Sequence, residues 1–175
     1  MSVTARLSMS FTATHTASAP TIDLGTGTAQ SVAITSSNDV SLTDGTTAGK
    51  VDRVFSDRRT LTASATEDLD LAGVLTDAFG NTITFAKIKG IKISAATGNT
   101  NNVVVGAASS NQWATLLNAA GTITLRPGAA FAAMSGSADT TGWGVTAATG
   151  DLLKIANSGG TTGVTYDIVI VGTSA

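Results

Sequence analysis

The chain has 175 residues, of which 42% are hydrophobic and only 13% charged, about half the charged share usual in a soluble domain. Ten basic and twelve acidic residues, spread along the chain for a net charge of -2, exclude the basic field on which nucleic-acid binding rests. The absence of cysteine removes disulfides, thiolate metal sites and cysteine nucleophiles, and a single histidine, His15, excludes most zinc chemistry.

Threonine, serine, alanine and glycine stand where charge would be, with 19 glycines, two prolines (Pro20 and Pro127) and one glutamate, Glu67. Threonine suits a pleated, half-exposed surface and glycine supplies turns, whereas long helices need the glutamate, lysine, leucine and glutamine that are scarce here. A single domain with its own core is expected at this length.

Residues 2 to 13 alternate, with Val3, Ala5, Leu7, Met9, Phe11 and Ala13 on one side and serines, threonines and Arg6 on the other. This predicts a strand half-buried on one face. The alternation leaves no continuous apolar run for a secretory signal, and the longest apolar stretches, 103–108 and 168–171, fall far short of the roughly 18 residues of a spanning helix. A soluble chain with no cleaved leader and no membrane partner is the expectation. Residues 14–31 break the alternation with Pro20 and Gly25-Thr26-Gly27 and read as a long connection. Two weaker strands are expected at 32–35 and 40–43, before the turn signal Thr43-Asp44-Gly45.

From Val51 onward short strands alternate with turns: 51–55, 60–63, 68–71 and 82–94. In the last of these Ile83 and Phe85 share one parity, Ile88 has the other, and Ile91 and Ile93 return to the first. A one-residue slip turns every side chain over, so either bulges near Ala86 and Gly90 or a single helical turn interrupts the strand; bulges are favoured, above all at Gly90, which has no Cβ to place. Further strands are read at 102–105, 122–126, 130–134, 144–147, 152–156 and 164–171, the last with apolar residues on both faces as a central strand requires. The only candidate helix is 112–118, around Trp113, Leu116 and Leu117; it is short enough that an ordered loop serves equally. About ten short strands with almost no helix predict an all-β, antiparallel β-sandwich, jelly-roll-like, with residues 1–56 forming an N-terminal strand and extended arm and 57–175 the sandwich.

Chemistry-bearing constellations are sparse. His15 has many serines available but none in a strained nucleophile turn. The run Gly25 to Gln30 opens like a dinucleotide fingerprint, yet it lacks the third glycine and the following helix. The carboxylates Glu67, Asp68, Asp70 and Asp77 are the best cation candidates, but their spacing fits no calcium loop, and alternation with Leu69 and Leu71 reads as a solvated strand face. No catalysis, no metal and no cofactor is therefore expected. The basic concentrations are Arg53, Arg58 and Arg59, and Lys87, Lys89 and Lys92. They read as edge protection or as contacts to an acidic patch on a partner protein. Trp113 and Trp143 suit core or interface packing better than a sugar platform. The partner-contact candidates are Arg53, Arg58, Arg59, Lys87, Lys89 and Trp113.

From Asp57 to the C-terminus the text is also a family text. Asp57-Arg58-Arg59-Thr60-Leu61, Glu67-Asp68-Leu69-Asp70-Leu71, Leu75-Thr76-Asp77-Ala78-Phe79-Gly80 and Thr84-Phe85-Ala86-Lys87 are its first landmarks. It continues through Arg126-Pro127-Gly128, Gly142-Trp143-Gly144-Val145-Thr146, the run Gly150 to Ser158, and Thr165-Tyr166-Asp167-Ile168-Val169-Ile170. In these stretches the chain resembles a family of small structural proteins of tailed phages and prophages; residues 1–56 match only loosely. The resemblance implies a head decoration, or cement, protein: a β-sandwich on the outer surface of a capsid that binds the major capsid protein and copies of itself. A tail or fibre component remains open within the same family, and a carbohydrate-binding attachment module is the alternative from another class. A low-charge surface fits the first reading, because it loses little desolvation energy when several faces are covered at once.

Overall fold

A computed structural model describes residues 2–17 and 30–175. The N-terminal alternation becomes β1 (Ala5–Ala17), which pairs antiparallel with β2 (Gln30–Asp44) in one unbroken register from Ala5↔Leu42 to Ala17↔Gln30. The expected connection at 14–31 is therefore too long: residues 14–17 and 30–31 are strand, and Pro20 and Gly25-Thr26-Gly27 lie outside the described residues. The two weak strands at 32–35 and 40–43 are one. Ser36 to Asp39 has no apolar residue to signal a strand, but its backbone pairs with Ser8 to Phe11, and ladder hydrogen bonds do not require burial. After the turn, β3 (Lys50–Val51) runs parallel to the end of β2. Gly45 and Gly49 turn the chain there with φ of 131° and 66°, conformations that a Cβ would penalise.

The body follows: β4 (Arg53–Leu61), β5 (Thr66–Asp70), β6 (Lys87–Ala95), β7 (Val103–Gly106), β8 (Thr122–Leu125), β9 (Ala130–Met134), β10 (Trp143–Gly144), β11 (Leu152–Asn157) and β12 (Val164–Thr173). One sheet has the order β10-β6-β12-β4, with β9 also on β6; the other has β5-β11-β7-β8. Every pairing within these two sheets is antiparallel. The all-β antiparallel sandwich is thus as expected. Between the sheets lies one core, with Ile93, Ile155, Ile168, Ile170 and Tyr166 fully buried, each such side chain stabilising by roughly 1.5–3 kcal/mol relative to exposure. The boundary expected at residue 57 cuts β4, whose Phe55 belongs to this core, so the sandwich begins at Arg53.

Three local expectations meet the structure differently. The register of β6 against β12 does slip, between Gly90↔Val171 and Ile88↔Gly172, leaving Lys89 as the extra residue of a bulge. No strand covers 82–86: Ile83 and Phe85 are buried on an extended loop, and β6 starts only at Lys87. Segment 112–118 is a loop, pinned where the Trp113 indole N–H donates to the Gly144 carbonyl at 2.9 Å. That satisfied donor lets the ring enter the core without a helix to hold it.

Candidate interaction surface

In an antiparallel pair opposite residues share a face. On the β1–β2 ribbon this places Leu7, Met9, Phe11, Ala13 and His15 opposite Val40, Asn38, Ser36, Ile34 and Val32 on one, mainly apolar face, while Arg6, Ser8, Ser10 and Thr12 stand with Ser41, Asp39, Ser37 and Thr35 on the other. The apolar face has two fates along its length. At the root, Val3, Ala5, Leu7 and Val40 pack on a small second cluster of Leu42, Val51 and Val171. Beyond the root the body ends and the face continues bare: Phe11 is 75% exposed, and Val32 and Ile34 59% each. Isolated exposed apolar side chains are ordinary, but three on one face of a projecting ribbon are a surface patch. The polar face holds one ion pair, Arg6 to Asp39 at 2.6 Å, both exposed, which contributes little beyond register.

The root lies across the outer side of the sheet containing β12. There the cross-strand row Val171, Gly90, Met134 is followed by the row Val169, Lys92, Ala132. Gly90 permits the approach: a Cβ at that position would stand 2.6 Å from Leu7 Cδ1 and 3.0 Å from Val171 Cγ2. A groove of about 240 Å³ runs along β1, with Leu7 and Met9 as one wall, Ala132 to Met134 as the other and Val169 in its floor. Both walls are edge strands. On the other side of the root a larger open cleft of about 740 Å³ is lined by Val3, Asp52, Arg53, Asp77, Phe79 and Asn81, among others.

The charged residues singled out in the sequence are distributed, not gathered. Arg58 stands on the outer face and pairs with Asp167 at 2.6 Å, mostly in solvent. Arg53 is half-buried and bonds to Asp52, whose carboxylate also accepts the Ser174 N–H and hydroxyl. Arg59 donates to Asp57 at 2.9 Å and to Glu67 at 2.7 Å, with its guanidinium over the Phe55 ring. The other Glu67 oxygen accepts the Tyr166 hydroxyl at 2.7 Å. Burial first, and then this bond to Glu67, push the Tyr166 pKa up, so the phenol stays a donor. The cluster Arg59–Glu67–Tyr166 ties the two sheets together at the edge where β4 passes into β5.

Two of the expected partner contacts are corrected. Lys89 is 1% exposed: the bulge turns it inward, and its ammonium donates to the Asp139 carbonyl at 2.7 Å. Trp113, 4% exposed, is core. Lys87 is half-buried, whereas Lys92 faces solvent beside the groove. Trp143 packs against the core from a half-buried position.

The carboxylates are likewise dispersed into local tasks. Asp70 accepts the Ala72 N–H and Asp77 those of Phe79 and Asn81. The Asp77 pKa lies below its usual value because it accepts from the Asn81 side chain and from these backbone donors. Among the described residues no three His, Asp or Glu side chains come together around a cation position. His15 sits on the bare ribbon opposite Val32.

No family model, curated protein or solved structure matches this chain. Among the described residues the surface joins exposed apolar side chains, Phe11, Val32 and Ile34, to a groove walled by the two edge strands β1 and β9. The sequence signal for the groove was present in part. Alternation at 2–13 marks the apolar face, but only the register with β2 shows that Val32 and Ile34 extend it.

Proposed function

We propose that this chain is a structural association subunit, and more specifically a capsid decoration protein that sits on the outer surface of a phage shell and holds neighbouring major capsid subunits. The observation that supports it best is the projecting ribbon whose apolar face outlasts the body. Such a protein needs reach and coverable surface, not a reactive centre. Numbering the eight longer body strands in chain order, the sheets read 1-8-3-6 and 2-7-4-5. We take this order as that of a jelly roll, two Greek keys folded face to face, which agrees with the resemblance of residues 57–175 to phage structural proteins.

The test is sedimentation of purified bare shells with the full chain. Saturable decoration, lost when residues 1–44 are removed and accompanied by higher thermal resistance of decorated shells, is the expected result. Shells that bind no chain, or that resist heat equally with and without it, refute the reading. One feature favours attachment to glycans as a second reading: Phe79 stands exposed at the rim of the larger cleft beside Asp77, Asn81 and Arg53, an aromatic face with planar polar neighbours. Binding on a glycan array, abolished by Phe79→Ala, would separate it from the first.

A further inference from the structure

We draw no further inference here: the strongest candidate, the apolar face of the distal β1–β2 ribbon on which Phe11, Val32 and Ile34 stand exposed, carries none, because nothing in the structure shows what covers it.

Discussion

The sandwich and the arm are made of the same alternating strand text, yet one closes its apolar face and the other leaves it open. In β12 the alternation Val164, Tyr166, Ile168, Ile170 meets a second sheet and every one of these side chains is buried. In β1 the alternation Leu7, Met9, Phe11 meets the body for its first two members and then runs past it. Period-2 patterning marks which side of a strand is apolar; what covers that side is set by the neighbouring elements. Among the described residues the distal arm is therefore a strand pair with no second layer over its apolar side chains.

The sharpest way to break this comparison is to truncate both faces. Ile168→Ala, at a fully buried position between β4 and β6, should cost about 2–5 kcal/mol from lost transfer energy plus the cavity. Phe11→Ala should leave the unfolding free energy of the monomeric chain within about 0.5 kcal/mol, as exposed substitutions do. Urea titration at low concentration reads both, and equal losses would mean that the arm is buried in the monomer.

Next in size is the cluster where the sheets meet. Glu67→Gln keeps the shape but removes the charge that holds Arg59 and accepts from Tyr166. Leaving a half-buried guanidinium and a buried hydroxyl poorly partnered should cost about 1–3 kcal/mol. Glu67→Gln with Arg59→Met should recover part of it, and strict additivity in that cycle would show that the two side chains do not act as a unit.

How much of this was legible beforehand follows from what each element depends on. β9 was read to the residue and β12 to within two, because burial on the core face enforces their pattern. The bulge at Lys89 and Gly90 was legible for the same reason: a change of parity in a run of isoleucines has few other physical causes. The arm was legible only as one strand, a connection and two short weak strands at 32–35 and 40–43, where the structure has one continuous β2. Thr14, Thr16, Ser36 and Ser37 are paired by backbone alone, and nothing in their side chains records the pairing. Lys89 and Trp113 were misplaced at the surface because a buried lysine needs a carbonyl and a buried indole needs an acceptor, and both are supplied by segments distant in sequence, the turn at Asp139 and the short strand β10 at Gly144.

The seam between arm and body gives an intermediate effect. Gly90→Ala drives a methyl against Leu7 and Val171 and should destabilise by about 1–2 kcal/mol, as overpacking does. Its neighbours are side-chain ends and not backbone, so Leu7→Ala should make room and the double variant should be less impaired than the sum of the singles. If Gly90→Ala is as costly with Ala at position 7 as with Leu, the root does not rest on the sheet as described.

The smallest effect lies in the link between β9 and β10, which the arm does not touch. Asp139 accepts the Thr141 N–H and hydroxyl at 2.8 Å each and the Gly142 N–H at 3.0 Å. These bonds, the Thr141 backbone first, lower its pKa from 3.8 to about 2. Because the folded-state value lies below the unfolded one, the stability it contributes is fully present above about pH 4 and is lost as pH falls through 2. The same turn presents the carbonyl that holds the Lys89 ammonium, so protonation loosens the loop over a buried cation. Asp139→Asn should lower the urea midpoint slightly at pH 6, and the gap to wild type should narrow steadily between pH 4 and 2. Other carboxylates with lowered pKa values, Asp39 and Asp167 among them, titrate in both proteins and cancel in that difference. A gap that stays constant over the interval would mean that the turn is held by its backbone alone and that the Asp139 charge plays no part in it.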